Sequence, residues 1–273
     1  MTGLGEARVA AQTAASSDLL EWPARIGFIG YGVVHLIVAW IALEIGWGQP
    51  PEEGGHFGAF QILADRPFGR GLLITAAVGF AAMTLWQVLE AAVGHRSDTG
   101  GERVFERSCS AGRAVIYAVF GWTAVKVLRG SAESTADHQQ EATATVLASD
   151  GGRWLVGLAG VTVIAFSAAL AVYGLVRRFA KHLRTDAMSA QVRRTVRGLG
   201  VVGYAAKGLG YAIVGALLVA AALTYDPSRS RGLDAALHAL AAQPYGHVLL
   251  AVIAAGIAAF GVFCIAQARY RKI

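Results

Sequence analysis

The stretch that decides the fold is residues 199–223, LGVVGYAAKGLGYAIVGALLVAAAL, in which Lys207 is the single charged residue. As a helix it is about 37 Å long, at about 1.5 Å per residue, and the hydrocarbon core of a bilayer is about 30 Å thick. Only helices or closed barrels satisfy their backbone groups in lipid, and a run of this length is too long for a barrel strand. Five comparable apolar runs occur, at 26–47, 70–93, 113–128, 154–176 and 247–268. The sequence therefore predicts an all-α, polytopic membrane protein with six transmembrane helices.

The overall composition leads to the same conclusion. Hydrophobic residues make up 55% of the 273 residues and charged residues only 15%, whereas soluble domains carry about 25% charged residues. Most of the charges lie between the apolar runs. An ordinary soluble domain is therefore excluded.

The chain contains three copies of a two-helix unit. One position in the first helix of each copy is held by His35, Tyr117 and Tyr211, and the second helices start near Gly69, Gly152 and Gly246. The intervals between these two positions are 34, 35 and 35 residues, a regularity that indicates internal triplication. We therefore predict three tandem helical-hairpin repeats in a pseudo-threefold arrangement.

This register sets the predicted boundaries. The three repeats cover residues 24–95, 108–179 and 199–273, and each contributes two transmembrane helices. The tail at 1–23 is predicted to be a disordered cytoplasmic segment, and it contains no apolar core of the kind that a signal peptide carries. A basic cytoplasmic connection at 180–198 separates the second repeat from the third.

The lysine and arginine residues indicate the orientation. Of the 24 in the chain, sixteen lie in the two tails and in the connections between repeats, and six lie in the connections within repeats. Cytoplasmic segments carry an excess of these residues. Both termini are therefore predicted to face the cytoplasm, and the connections within repeats are predicted to face the outside.

A short segment precedes each second helix. The segments at 60–63, 145–147 and 237–240 mix apolar and polar residues and are predicted to form short helices at the outer membrane surface. Pro67 and Pro244 follow two of them, and proline suits the first turn of a helix because its missing N–H costs nothing there. These segments are interpreted as re-entry turns, and the alternative is a lid over a central vestibule.

Several of these segments together resemble a known family. The stretches ARIG at 24–27, GVV at 32–34 and PFGRGLL at 67–73, with LAAQPYG at 240–246 in the third copy, are similar to the repeat of the bacterial membrane family catalogued as domain of unknown function 1206. The middle copy departs from the pattern, because DGG at 150–152 replaces its proline motif. The resemblance implies three two-helix repeats and residence in the bacterial cytoplasmic membrane. It implies no activity, cofactor or catalytic residue.

Ionisable groups within the spans are candidates for function, because a charge in lipid is costly. His35, Tyr117 and Tyr211 share one repeat position and are predicted to form a polar cluster near the pseudo-threefold axis. Proton handling by His35 and simple hydrogen bonding both fit that position. Matched depths also suggest two ion pairs, Glu44 with Lys126 and Glu90 with Lys207. The alternative for each lysine is that its side chain extends to the membrane surface.

The strongest surface feature is the basic stretch at 177–198. A basic segment at the cytoplasmic surface attracts anionic lipid head groups, and the chain carries no nucleic-acid recognition motif. Such a stretch also serves as a topology signal. The predicted lipid-binding residues are Arg177, Arg178, Lys181, Arg184, Arg193, Arg194 and Arg197.

The sequence contains no motif of a known catalytic, nucleotide-binding or metal-binding site. It predicts no enzyme, no catalytic or metal-ligating residue and no cofactor. A structural or accessory bundle that binds lipids or other membrane proteins is the first functional prediction. The alternative is transport of a small solute, an ion or protons along the bundle axis, because parallel repeats also occur in transporters.

Overall fold

The computed structural model describes residues 18–48, 54–94, 99–130 and 134–272. Six long helices are apolar enough to cross a membrane, which confirms the all-α, multi-pass prediction. They are α1 (Asp18–Gly46), α3 (Gly69–Val93), α4 (Gly100–Leu128), α6 (Gly152–Leu175), α7 (Ala190–Thr224) and α9 (Gly246–Tyr270). Three short helices join them in pairs, namely α2 (His56–Ala64), α5 (Thr135–Leu147) and α8 (Leu233–Ala241).

The bundle therefore has two ends. The end where α1 begins and α9 finishes is called the terminal face, and the end that carries α2, α5 and α8 is called the connection face. The segment between α6 and α7 belongs to the terminal face and contains two 3₁₀ turns, Arg178–His182 and Thr185–Ala187. An isolated bridge between Leu183 and Arg271 joins this segment to the end of the chain.

Three helices begin earlier than the apolar runs predict. Helix α1 starts at Asp18, so residues 18–23 are helical and not disordered, while the rest of the predicted tail lies outside the described residues. Helix α4 starts at Gly100, and α7 starts at Ala190 inside the predicted basic connection. The start of α7 is fixed by Ser189, whose hydroxyl accepts a hydrogen bond from the N–H of Val192 at 3.3 Å.

The six long helices follow one another around the bundle in chain order. The most extensive contacts join helices of different repeats, α9 with α1, α3 with α4, and α6 with α7. Within the first and third repeats, α1 packs on α3 and α7 packs on α9. In the second repeat, α4 packs mainly on α3 and α6 packs mainly on α7, rather than on each other. Helix α6 is accordingly the least buried of the six spans.

Glycines let the backbones of neighbouring repeats approach closely. A Cβ added to Gly32 would lie 2.6 Å from the carbonyl oxygen of Gly261, and one added to Gly208 would lie 3.0 Å from that of Ser167. Gly32 and Gly208 occupy the same repeat position, and so do Gly261 and Ser167. The two crossings are therefore repetitions of one contact, of the small-residue kind that membrane helices use.

Each re-entry segment ends in the same tight turn. The N–H of Gly69 donates to the carbonyl of Arg66 at 2.8 Å, and Gly246 donates to Gln243 at 2.9 Å. The residues before these glycines, Phe68, Gly151 and Tyr245, all have left-handed backbones, with φ of 65°, 75° and 62°. The prolines therefore occupy the second position of type II turns, and the prediction that they lie within the first helical turn is wrong.

The glycine that follows each left-handed residue has no room for a side chain. A Cβ on Gly69 would overlap the carbonyl oxygen of Leu63, one on Gly152 that of Val146, and one on Gly246 that of Ala241. The short helix thus ends directly against the start of the long one. This contact explains why glycine recurs at the same position of all three repeats.

Candidate functional site

An aromatic cluster fills the centre of the bundle around Tyr31 of α1. The Tyr31 ring lies 4.4 Å from the ring centroid of His35, 5.1 Å from Phe120 and 5.5 Å from Tyr117. All four side chains are buried. Edge-to-face geometry dominates these contacts and stabilises such a core.

Lys207 of α7 reaches this cluster from the side. Its Nζ donates a hydrogen bond to Tyr31 Oη at 2.9 Å and lies 4.2 Å from the ring centroid of Phe260 and 5.7 Å from that of Tyr211. In the described part of the chain, no carboxylate lies within ion-pair distance of this ammonium. Its charge is therefore balanced by a phenol and by aromatic faces alone, which stabilise a cation less than a carboxylate does.

The hydrogen bonding of His35 fixes its tautomer. Its Nδ1 lies 2.8 Å from the carbonyl oxygen of Tyr31, which accepts but does not donate, so Nδ1 carries the proton. Nε2 is buried and has no hydrogen-bond partner within the described residues. It therefore presents a lone pair that only a donor can satisfy.

A second histidine lies on the connection-face side of His35. His56, the first residue of α2, has its ring centroid 5.4 Å from that of His35 and 4.8 Å from that of Phe120. Burial, together with the nearby Lys207 ammonium, lowers the pKa of His56 to about 3. His56 is thus neutral at physiological pH.

Two cavities meet at His56. The inner one, about 30 Å³, is lined by His35, His56, Lys207, Tyr211 and Leu233, and has room for about one water-sized species. The outer one, about 130 Å³, is also lined by His56 and Leu233, together with Thr123, Gln139, Arg231 and Asp234. His56 and Leu233 line both of these cavities, so they lie where the two cavities adjoin.

Polar contacts hold the outer cavity in shape. Asp234 accepts hydrogen bonds from the N–H of Gly54 at 2.8 Å and from Arg231 Nε at 3.1 Å. Arg231 also pairs with Asp137 of α5, at 2.5 Å. These contacts join the connections of all three repeats at the connection face.

Buried cations continue toward the terminal face. Arg271 donates to Gln267 Oε1 at 2.6 Å and lies 5.1 Å from the ring centroids of both Phe28 and Trp86. Burial, and the neighbouring Arg113, lower the pKa of Arg271. Arg113 donates to Ser110 Oγ at 3.2 Å. Neither arginine forms an ion pair with a carboxylate in the described chain, so the core from Lys207 to Arg271 is positively charged.

The family model described as Domain of Unknown Function (DUF1206) matches residues 26–94, 110–177 and 202–271. The chain belongs to the DUF1206 family. It is also 29% identical to the "Uncharacterized protein YxxB" of Bacillus subtilis (strain 168) over 256 residues, which cover 91% of this chain and 90% of that protein. No solved structure matches the chain. The three matched segments confirm the predicted resemblance, and neither description names a reaction.

The residues of the predicted polar cluster lie around Tyr31 and Lys207. Tyr117 packs on Tyr31, Tyr211 packs on Lys207, and His35 contacts Tyr31 directly. Sequence reasoning missed Tyr31 and His56 as members of the site. Tyr31 had a usable signal, because it holds the repeat position of Lys207, whereas nothing in the sequence pattern marks His56.

Neither predicted ion pair forms. Glu44 accepts a hydrogen bond from Trp40 Nε1 at 2.7 Å, and Lys126 lies 3.1 Å from His138 Nε2. Lys207 is engaged with Tyr31 and not with Glu90. Glu44, Lys126 and Lys207 each have a partner other than the one that matched depth predicts.

The lowered pKa of His56 predicts a loss of stability in acid. Below about pH 6.5 the unfolded chain protonates this histidine while the folded chain does not. The unfolded state then binds more protons, so the free energy of unfolding decreases as pH falls from about 6.5 toward 3. We expect the melting temperature in detergent to drop between pH 7 and pH 5, and to drop less in His56→Gln.

His247→Gln, at an exposed histidine, is the control and should follow the wild type. Equal pH dependence of the melting temperature in all three proteins would contradict the lowered pKa of His56.

Proposed function

We propose that this protein moves a small anion across the membrane, together with a proton, through the site around Lys207. The observation that carries the proposal is the Lys207 ammonium, which lies mid-span against a cavity and has no carboxylate partner in the described chain. An ionisable group at that depth points to a function. A bound anion supplies the missing counter-charge.

The charge of the whole core favours an anion over a cation. Lys207, Arg113 and Arg271 follow one another between the inner cavity and the terminal face, and the carboxylate of Glu106 is already paired with Lys181 at 2.6 Å. Interactions between charges are stronger in a low-dielectric core than in water. Such a core repels a metal cation and attracts a small anion.

His35 supplies the reason for a coupled proton. Its Nε2 faces the site as a lone pair, because Nδ1–H is engaged with the Tyr31 carbonyl. That lone pair repels an anion unless a proton lies between the two. Either Nε2 takes up this proton, or the ligand carries it, as a weak acid does. Anion and proton therefore enter together, and their joint transfer carries no net charge.

His56 and Leu233 are the proposed gate. They lie where the inner cavity adjoins the outer one, so a rotation of the His56 side chain joins the two cavities. If both termini face the cytoplasm, as the distribution of basic residues predicts, the outer cavity receives the anion from outside. Tyr117, Tyr173 and Tyr204 lie close enough to Arg113 to interact with it electrostatically and extend the polar route toward the terminal face.

The test is flux into liposomes that contain the purified full-length protein. Vesicles are loaded in turn with chloride, nitrate or formate, the membrane potential is clamped with potassium and valinomycin, and internal pH is followed with a dye. We expect anion flux above that of protein-free vesicles. Lys207→Met keeps the aliphatic stem but removes the charge, and a reduction of at least about tenfold is expected, which corresponds to about 1.4 kcal/mol.

Two further variants sharpen the result. Arg66→Met removes an exposed cation of the connection face and should leave flux unchanged. His35→Phe keeps a flat ring and should abolish the pH change that accompanies chloride or nitrate, which bring no proton of their own. Flux equal to that of empty vesicles, or flux insensitive to Lys207→Met, would overturn the proposal. Selective passage of potassium in a parallel assay without valinomycin would also overturn it.

A second candidate is the accessory, partner-binding bundle that the sequence predicts first. The observation in its favour is helix α6, which packs mainly on α7 and leaves Leu155, Leu158 and Phe166 exposed. In a membrane these exposed side chains of α6 would contact either lipid or a helix of another membrane protein. An absence of flux for every ion tested would favour this function.

A further inference from the structure

A groove rich in arginine lies at the terminal face, beside the start of α7. Its volume is about 740 Å³, and its polar wall is formed by Arg177, Arg193, Arg194 and Arg197. Val201 and Val202, one turn further along α7, form its apolar wall. The groove thus passes from charged to apolar at the level where the membrane-spanning part of α7 begins.

In the part of the chain that the structure describes, these four arginines have no counter-charge. None of them forms a hydrogen bond or an ion pair through its side chain with another described residue. The Nε of Arg197 is moreover buried without a hydrogen-bond partner. Buried N–H groups normally find such a partner, so the Nε–H of the half-buried Arg197 is a donor that an anionic ligand would satisfy.

The structure separates these residues from the rest of the predicted basic surface. Arg178 and Lys181 both pair with Glu102 and with Glu106, at 2.6–3.4 Å. Arg184 does not line the groove, and its backbone N–H donates to the carbonyl of Tyr270 at 2.7 Å. The predicted seven-residue surface is therefore reduced to the four arginines of the groove.

We propose that the groove binds one anionic phospholipid. The phosphate fits the arginine wall, because planar guanidinium groups bind phosphate oxygens in pairs. The acyl chains fit along Val201 and Val202, and Val202 is half exposed, at 53%. Free phosphate would need only the arginine wall. The apolar wall beside it therefore favours a lipid as the ligand. The inference is independent of the anion path at Lys207.

The test measures binding of a short-chain phosphatidylglycerol to the full-length protein in a neutral detergent, by native mass spectrometry. Phosphatidylcholine and inorganic phosphate are measured in parallel. The triple variant Arg193→Gln/Arg194→Gln/Arg197→Gln is compared with a control that loses the same charge from the connection face, Arg66→Gln/Arg70→Gln/Arg129→Gln. At about fivefold per cation near the membrane surface, we expect the triple variant to lose about 100-fold in affinity for phosphatidylglycerol and the control to keep its affinity.

Each alternative has its own outcome. Equal losses in the two triple variants would indicate general charge attraction and overturn the proposal. Inorganic phosphate that binds as tightly as phosphatidylglycerol, or phosphatidylcholine that binds equally well, would overturn the assignment of the ligand. If the triple variant does not fold, Arg194→Gln alone serves, since this exposed side chain makes no hydrogen bond or ion pair within the described chain. An unchanged affinity in that variant would count against the groove.

Discussion

Gly69→Ala is expected to lower the free energy of unfolding by about 3 kcal/mol, because the new methyl group overfills a closed backbone contact. The added Cβ overlaps the carbonyl oxygen of Leu63 and lies 2.9 Å from that of Ala64. Both are backbone atoms of α2, so no side chain can rotate away to make room. The short helix must separate from α3, and the measurement is the fraction of monodisperse protein that survives heating in detergent.

The control for this prediction lies two residues away on the same helix. A Cβ on Gly71 meets nothing within 4 Å, and alanine inside a helix is favoured over glycine by about 0.5–1 kcal/mol. Gly71→Ala is therefore expected to leave stability unchanged or slightly raised. Similar melting temperatures for the two alanine variants would show that α2 does not pack on α3 as described. Gly246→Ala repeats the test at the equivalent position of the third repeat.

These glycines illustrate how far sequence reasoning reaches. The constant spacing of Gly69, Gly152 and Gly246 identified the repeats correctly, because an internal repeat is visible without any knowledge of its geometry. The reason for the glycine was not visible, since it depends on where the end of the preceding helix lies. Pro67 was likewise assigned to a helix, although Phe68 adopts the left-handed backbone that places the proline in a turn.

The helix boundaries show a similar limit. Hydropathy locates the part of a helix that crosses lipid, and all six crossings were predicted correctly. It does not locate the helix ends, because a helix continues into water as long as its backbone groups are paired. Helix α7 therefore reaches back to Ala190 through a segment that carries three arginines and lies outside the predicted apolar run.

The centre of the site was only partly predictable. Equivalent residues of related repeats lie at the same height, so the grouping of His35, Tyr117 and Tyr211 was a sound expectation. The same argument holds for Tyr31 and Lys207, because they share a repeat position, and the structure joins them by a hydrogen bond. The predicted pairs of opposite charge do not form, because Glu44 bonds Trp40 and Lys207 bonds Tyr31. Repeat position does not specify which neighbour a side chain contacts.

Loss of the buried carboxylate at the terminal face is the second large effect that we expect. The side chain of Glu106 is 1% exposed, and its oxygens lie 2.6 Å from Lys181 Nζ, 3.4 Å from Arg178 Nε and 3.5 Å from His182 Nε2. Glu106→Gln leaves Lys181 and Arg178 without their buried partner, which costs about 3 kcal/mol of unfolding free energy. Thermal unfolding in detergent measures the loss.

Glu102, one turn earlier on α4, is a matched control because it pairs with the same two cations. Its side chain is 52% exposed, with distances of 3.1 Å to Arg178 and 3.4 Å to Lys181. Exposed pairs contribute about 0–1 kcal/mol and are screened by salt, so Glu102→Gln should have a small effect that disappears at high ionic strength. Equal losses in the two variants would show that burial does not determine the strength of this cluster.

The cluster also has a structural role that makes its loss larger than a local effect. Helices α4 and α6 pack mainly on α3 and α7, and Glu106 of α4 binds cations of the segment that follows α6. These ion pairs therefore close the bundle at the terminal face between its two loosely packed helices. If that is their role, Glu106→Gln and Lys181→Met together should destabilise the protein by less than the sum of the single changes. If the losses of unfolding free energy in the two single variants add up to the loss in the double variant, Glu106 and Lys181 do not interact directly.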